Sequence, residues 1–248
     1  GPTGSGKTTT LFALLDRINS PDKMIITVED PVEYEISGIS QIQVNSKIDL
    51  TFPRALRAIV RQDPDVIMVG ETRDKETAMM AIEASLTGHF VLSTLHTNDA
   101  ASAPNRLIDM GVQPFLIASS LAAILAQRLI QTLCDECKEP YEMTASELEI
   151  LQVEELPEWA DTYRASEGCA KCNFKGYMGR TTVCELLMIT DEVKPLILQK
   201  ADAGSVKRLA MKQGMVTLRQ NAVEKIFRGL TSVDEVIRAI QEEEEDNS

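Results

Sequence analysis

The stretch that most constrains this chain is its opening, "GPTGSGKTTT". It fits the pattern G-x-x-x-x-G-K-[ST] through Gly1, Gly6, Lys7 and Thr8. Glycines at this spacing let successive backbone N–H groups turn inward around phosphate oxygens, while the lysine adds positive charge and the hydroxyl a ligand for Mg²⁺. Such a loop hangs from a strand and continues into a helix whose N-terminus faces the phosphates. A flexible glycine-rich tag, the alternative, explains neither the Lys-Thr pair nor the helical pattern that follows.

The loop predicts a nucleotide site without saying what the nucleotide is for. We assign the nucleotide contacts to the whole segment: Gly1, Pro2, Thr3, Gly4, Ser5, Gly6, Lys7, Thr8 and Thr9. The sequence contains no clear guanine-reading N-K-x-D motif, which favours ATP over GTP. Because no strand stands before Gly1, we interpret this residue as a truncation point.

Short apolar runs alternate with helical patterns in the first half of the chain. The runs Met24–Thr27, Val66–Val69 and Phe90–Thr94 are typical of buried strands. The stretches "KTTTLFALLDRIN", "FPRALRAIVRQ" and "KETAMMAIEASL" have the apolar spacing of helices. Strands alternating with helices predict an α/β fold with a mostly parallel sheet that is covered on both faces. Pro104 falls within a further segment expected to be helical, which it should end or kink.

The charge balance narrows the classes of function. Lys and Arg total 25 against 38 Asp and Glu, a formal net charge of −13. Nucleic acids and anionic membranes require phosphate-neutralising positive charge, so neither is an expected partner. The sequence shows neither an apolar stretch of transmembrane length nor a signal peptide, which predicts a cytoplasmic location. The terminal run "EEEEDNS" is expected to be a solvated, disordered tail.

Charged side chains follow the ends of the predicted strands. Glu29, Asp30 and Glu33 come after the first strand, Glu71 after the second, and His96 after the third. The carboxyl ends of parallel strands share the edge of the sheet at which ligands bind. Hydrolysis needs a carboxylate near Mg²⁺ and another that orients the attacking water, and a histidine here could hydrogen-bond the γ-phosphate. A solvated "EDP" turn and a purely structural histidine are the alternatives.

Two C-x₂-C pairs, Cys134/Cys137 and Cys169/Cys172, are separated by 31 residues. Each pair can clamp one edge of a tetrahedral Zn²⁺, and four thiolates leave no open position, so the zinc would be structural. A redox function needs only one pair, and unligated core cysteines are the remaining alternative. Cys184, alone in an apolar strand, is expected to be a small core residue.

These features divide the chain into three predicted parts. Residues 1–132 form an α/β nucleotide core, and residues 133–175 form a tetracysteine zinc-binding lobe. Residues 176–248 supply a C-terminal strand, a helical subdomain and the acidic tail. The strand is the strand-like stretch Gly179–Ile189, and helical patterns follow it to the end of the chain.

Four motifs together resemble one family. In order and spacing, "GPTGSGKTTT", "TVEDPVEY", "RQDPDVIMVGETRDKETA" and "TGHFVLSTLHTNDA" are similar to the Walker A, Asp box, Walker B and His box of secretion ATPases. These are the hexameric motors of type II secretion and type IV pilus assembly, the GspE/PilB group. The likeness continues through the cysteine pairs and the C-terminal helices. It implies a P-loop, RecA-like core and places a strand and a further domain before Gly1.

The resemblance also implies roles for individual residues. Lys7 and Thr8 match the family's phosphate and Mg²⁺ residues. Glu33 matches its catalytic glutamate, which positions the attacking water. Glu71 matches its Walker B glutamate, and His96 its His-box histidine.

Three arginines match family arginines that approach phosphates in the assembled ring. Arg57 and Arg61 lie four residues apart, which on a helix puts them on one face, as a phosphate clamp needs. An exposed salt-bridging face is the alternative for this pair. Arg180, in "GYMGR", is carried over in the same way.

The leading hypothesis is an ATP-hydrolysing motor that works as a homohexamer on an inner-membrane platform protein and a cytoplasmic-membrane adaptor. It would be peripheral to the inner membrane and assemble pilin-like subunits into a fibre. The cysteine pairs favour assembly or secretion motors over retraction motors, which typically lack them. The alternatives are a non-catalytic zinc-braced interaction module, a retraction or conjugation-type motor, and a nucleic-acid translocase, which the net charge disfavours.

Overall fold

The computed structural model describes residues 1–245, with the side chains of residues 1–240. Two compact units make up the chain, and each consists of separate stretches of sequence. The first contains Gly1, Lys7–Ile124 and Leu187–Lys212, and the second contains Pro2–Gly6, Leu125–Leu186 and the chain from Gln213 onward. This division differs from the three consecutive parts that the sequence predicts, because two long strands and the C-terminal helices are shared between the units.

Residues 1–245 contain eight strands and ten α-helices. The strands are β1 (Ile25–Glu29), β2 (Ser40–Gln43), β3 (Val66–Val69), β4 (Phe90–Ser93), β5 (Ala123–Leu133), β6 (Glu139–Pro140), β7 (Tyr163–Arg164) and β8 (Tyr177–Met188). The helices are α1 (Lys7–Ile18), α2 (Phe52–Ile59), α3 (Lys75–Leu86), α4 (Ala103–Asp109), α5 (Pro114–Ser120), α6 (Ala145–Leu151), α7 (Val193–Leu198), α8 (Ala203–Lys212), α9 (Leu218–Phe227) and α10 (Val233–Glu245).

A four-stranded parallel sheet with the order β2-β1-β3-β4 organises the first unit. Successive side chains of a strand point to opposite faces, so each face collects every second residue. On one face Val28 and Ile67 pack with α2 and α3. On the other, Ile25 and Met68 pack with α1. The prediction of a mostly parallel sheet covered on both faces is confirmed.

Local expectations differ from the structure at β4, which is exposed or half-buried instead of buried, and also at β2 and Pro104. The predicted strand list lacks β2, because its sequence "SQIQ" has too few apolar residues to be recognised. Pro104 neither ends nor kinks a helix: α4 begins at Ala103, which places the proline in the first helical turn. Proline is tolerated there because the backbone N–H that it lacks has no partner within the helix.

The second unit contains most of the β5–β8 pair and the short antiparallel β6–β7 pair, together with α6, α9 and α10. Helix α10 continues through Glu245, so the first four residues of the predicted acidic tail have helical backbone, and Asp246–Ser248 lie outside the described residues. Cys184 is half-buried in β8. Within residues 1–245, none of the helices has the length and apolar character that crossing a membrane requires.

Candidate nucleotide site and cysteine cluster

The opening loop has the backbone that a phosphate loop needs. Helix α1 begins at Lys7, as predicted. Gly4 and Gly6 adopt φ angles of 79° and 88°, in the left-handed region that favours glycine. A Cβ atom on Gly6 would also lie 3.1 Å from Nε2 of Gln127. The second motif glycine is therefore required both by its conformation and by the space around it.

Gln127 supports this loop, although the sequence analysis did not select it. Its side chain is 3% exposed, and its Nε2 donates to the carbonyl oxygen of Ser5 at 2.7 Å, both residues belonging to the second unit. The Ser5 hydroxyl is buried and has no hydrogen-bond partner among the described residues. An unsatisfied buried hydroxyl in such a loop fits a site that receives a phosphate oxygen. No local signal marks Gln127, because 122 residues separate it from Ser5.

Within the first unit, the loop's ends lie beside the end of β4. The amino group of Gly1 donates to the carbonyl oxygen of Leu95 at 3.2 Å, and Nζ of Lys7 donates to the carbonyl oxygen of Gly1 at 2.8 Å. Leu95 precedes His96 directly. Lys7 and His96 therefore lie in the same charged region.

The ends of β3 and β4 bring two predicted site residues together. Nε2 of His96 lies 3.9 Å from Oε2 of Glu71, and the same oxygen forms an ion pair with Nε of Arg73 at 2.7 Å. Burial, and then the positive charges of Lys7 and Arg73, hold the pKa of His96 below its usual value, against the opposing effect of Glu71. The imidazole is therefore mostly neutral at pH 7. Arg73 was missed by the sequence reasoning, although it stands in the quoted stretch "GETRD".

The backbone beneath Glu71 is fixed on both sides. The Gly70 N–H donates to the carbonyl oxygen of Val28 on β1, at 2.8 Å. The Thr94 hydroxyl donates to the carbonyl oxygen of Gly70 at 2.8 Å, and the Thr94 carbonyl accepts from the Thr72 N–H at 2.9 Å. A Cβ atom on Gly70 would come within 3.2 Å of the Val28 carbonyl oxygen, which explains a glycine just before the glutamate.

The three carboxylates after β1 have different environments. Glu29 is 2% exposed, and its Oε1 accepts from the Thr27 hydroxyl at 2.5 Å and from Nε2 of Gln41 at 3.1 Å. Asp30 and Glu33 are exposed. Among the described residues, the Glu33 carboxylate has no hydrogen-bond or ion-pair partner. Asp30 and Glu33 thus both combine an open carboxylate with a position beyond the strand end.

The predicted arginines do not share one α-helical face. Helix α2 ends at Ile59, and Arg61 lies in the 3₁₀ turn Val60–Gln62 that follows. The turn ends at Asp63, whose φ of 52° is left-handed; the next residue is a proline, which disfavours helix before it. Arg57 pairs with Glu76 of α3, and both side chains are more than half exposed. Arg180 is exposed in β8.

The four predicted cysteines form one cluster. The sulfurs of Cys134, Cys137, Cys169 and Cys172 all lie within 4.8 Å of one another, and the Cys134–Cys169 and Cys137–Cys172 pairs are 3.9 Å apart. Tetrahedral coordination with Zn–S bonds of about 2.3 Å requires sulfurs about 3.8 Å apart, whereas a disulfide needs about 2 Å. Backbone N–H groups of Cys169 and Gly176 help to lower the pKa of Cys172 to about 6, whereas the pKa of Cys137, which Ser166 acts to lower, is raised to about 11 by burial and the neighbouring thiols. The donors fit a tetrahedral metal ion.

A glycine-rich loop before α1 and a parallel sheet with charged strand ends place the fold in the P-loop α/β class. Within this class, residues 1–238 match the family described as Type II/IV secretion system protein, and the chain belongs to that family.

Relatives and solved structures agree with this membership. The type II secretion system ATPase E of Vibrio cholerae is 51% identical over 98% of this chain and 48% of its own length. The type IV pilus assembly ATPase PilB of Thermus thermophilus is 48% identical over 96% of this chain and 27% of its own length. The crystal structure of the pilus retraction motor PilT with bound ADP matches with a TM-score of 0.70 and 29% identity, over 96% of this chain and 59% of that one. The chain spans about half the length of its type II secretion relatives.

Proposed function

We propose that the chain is the ATP-hydrolysing region of a motor for type II secretion or type IV pilus assembly. The observation that supports this most is one edge of the parallel sheet, where Glu71 lies 3.9 Å from His96 and the charge of Lys7 acts on the same histidine. Two relatives are described as secretion and pilus assembly ATPases, and the matching PilT structure contains ADP.

Each proposed site residue has one task. Backbone N–H groups of residues 1–9 other than Pro2 hold the phosphates, Lys7 neutralises their charge, and the Ser5 hydroxyl supplies one more donor. Glu33, one of the two open carboxylates after β1, orients the attacking water. His96 donates a hydrogen bond to the γ-phosphate as a neutral imidazole.

Bound Mg²⁺ would supply charge neutralisation between the β- and γ-phosphates. The exposed hydroxyl of Thr8 and the carboxylate of Glu71 are oxygen donors of the kind that Mg²⁺ prefers. Arg73 binds one oxygen of Glu71 and so limits the orientations of this carboxylate.

The exposed arginines suit a site completed by a neighbouring subunit. We propose that Arg57, Arg61 and Arg180 approach phosphates in a homohexamer. The exposed pair between Arg57 and Glu76 contributes at most about 1 kcal/mol, so a phosphate can replace the glutamate. The motor would act on an inner-membrane platform protein and a membrane adaptor, from the cytoplasmic side.

For the cysteine cluster we propose Zn²⁺ in a purely structural role. The ligands would be the four thiolates, which complete a tetrahedron and leave no position for a substrate. Secretion and assembly are favoured over retraction, because the secretion and assembly relatives are 51% and 48% identical and the retraction motor 29%.

The proposal is tested by ATP turnover of the full-length native protein. Lys7→Ala and Glu33→Gln should each lower kcat by at least about a hundredfold, because one loses the phosphate charge and the other the water-orienting carboxylate. The matched controls are Lys23→Ala and Glu35→Gln, two exposed residues of the same types, which should leave kcat within about twofold. Retained turnover in either site variant would refute the assigned roles.

A further inference from the structure

The exposed Glu33 raises a question of positioning. Its carboxylate has no partner among the described residues, so its position depends on the backbone of the connection from β1 to β2. A water-orienting group misplaced by about 1 Å can lose about a hundredfold in rate. Something must therefore hold this connection in place.

The side chain of Gln41, on β2, makes three hydrogen bonds. Two of them are to the connection between β1 and β2, and one is to Glu29 at the end of β1. Its Oε1 accepts from the Ile36 N–H at 2.7 Å. Its Nε2 donates to the carbonyl oxygen of Tyr34 and to Oε1 of Glu29, each at 3.1 Å. The amide thus uses one acceptor and both of its donors.

The partners of Gln41 stand on both sides of Glu33 in the chain. Glu29 lies before it, at the buried end of β1, while Tyr34 and Ile36 follow it. The Tyr34 ring also packs edge-on against Phe12 of α1, with centroids 4.6 Å apart. One amide therefore ties the segment around Glu33 to the central strand of the sheet.

We propose that Gln41 is the positioning residue for Glu33, holding the proposed catalytic carboxylate through the backbone on either side of it. This inference rests on the proposed function of Glu33. A second glutamine of β2 adds a weaker support, since Oε1 of Gln43 accepts from the Val32 N–H at 3.2 Å.

The test replaces Gln41 by leucine in the full-length native protein. Gln41→Leu keeps the volume and removes all three hydrogen bonds, so kcat should fall about ten- to a hundredfold. The KM for ATP should stay within about twofold, because the phosphate contacts are made elsewhere. The matched control is Gln131→Leu, a strand glutamine of the second unit that also donates to a buried glutamate, Glu235, and should leave kcat unchanged.

A double-mutant cycle separates positioning from general stability. If Gln41 acts through Glu33, adding Gln41→Leu to Glu33→Gln should lower the residual single-turnover rate by less than about twofold. A full additional loss in the double variant, or an unchanged kcat in Gln41→Leu, would overturn the inference. Should Gln41→Leu fail to fold, Gln41→Glu keeps the acceptor for Ile36 but sets a carboxylate against Glu29, and it must show the same kcat loss.

The cycle also distinguishes two failures. If Glu33→Gln retains full turnover, the proposed role of Glu33 fails and the inference about Gln41 fails with it. If Glu33→Gln abolishes turnover while Gln41→Leu does not, only the inference about Gln41 is wrong.

Discussion

The cysteine cluster and the sheet edge hold their functional atoms in opposite ways. In the cluster the side chains themselves meet, with four sulfurs within 4.8 Å of one another. At the sheet edge the backbone is fixed, while the Glu33 carboxylate has no partner among the described residues. Arg57 makes only an exposed ion pair.

This difference follows from what each site does in our proposal. A structural metal contributes to folding, so its ligands must converge within the folded unit itself. A hydrolytic site must exchange substrate and product, so its charged groups stay open and the surrounding backbone supplies the order. Substitutions should accordingly affect stability in the cluster and turnover at the edge.

The largest expected effect is in the cluster. Cys172→Ser removes one of four ligands, and we expect it to lower the unfolding free energy by at least about 3 kcal/mol, because structural zinc binding is worth about 10 kcal/mol or more. Denaturant unfolding of the full-length protein, with and without a chelator, measures this loss. The chelator should destabilise the wild type strongly and the variant little.

Cys184→Ser is the matched control, since this cysteine is half-buried and not part of the cluster. It should respond to the chelator as the wild type does. Equal stabilities of Cys172→Ser and Cys184→Ser would contradict a structural metal and would remove the contrast with the sheet edge.

Local patterns predicted most of the elements and one complete site. The run Val66–Val69 is a strand with the predicted bounds, because four consecutive apolar residues suit a central parallel strand. The stretch "KETAMMAIEASL" forms α3 over its full length, with Asp74 capping it through the Thr77 N–H. The C-x₂-C spacing was sufficient to predict which cysteines lie together, because the two cysteines of each C-x₂-C motif lie in one short turn.

What the sequence could not supply are contacts between distant residues. Gln127 meets the phosphate loop from 122 positions away, and the tie of Thr94 to Gly70 depends on the pairing of β3 with β4. Arg57 and Arg61 do not lie in one continuous α-helix, because "RQDP" contains a proline that disfavours helix before it. Periodicity finds elements but not the hydrogen bonds between them.

A smaller effect is expected from the backbone tie beneath Glu71. Thr94→Val keeps the shape but leaves the Gly70 carbonyl without its hydroxyl donor, so Glu71 and His96 lose their fixed spacing. We expect kcat to fall about tenfold and the unfolding free energy by about 1–2 kcal/mol. Steady-state turnover and denaturant unfolding of the full-length protein measure the two changes.

Thr94→Ser is the control for this substitution, because it keeps the hydroxyl, and it should restore most of kcat. If the valine and serine variants turn over ATP equally, the backbone tie does not order the edge. The proposed difference, in which side chains order the cysteine cluster and backbone hydrogen bonds order the sheet edge, would then not hold for the sheet edge.

The smallest expected effect concerns the pH dependence of His96. Its pKa lies below the ordinary value of 6.5, through burial and then the charges of Lys7 and Arg73. Since the proposal needs a neutral imidazole, kcat should be lost only as the pH falls below about 6.5. The folded-state pKa is depressed, so the histidine's contribution to stability is likewise present above that value and lost as the pH falls through the folded pKa.

Arg73→Gln removes one of the charges that depress the His96 pKa and leaves Glu71 to raise it, so the acid limb of the pH profile of kcat should move to higher pH. NMR titration of the two histidines, assigned with His96→Gln, checks this directly. A His96 pKa unchanged in Arg73→Gln would mean that the charge of Arg73 does not act on the histidine and that burial and Lys7 lower its pKa without it.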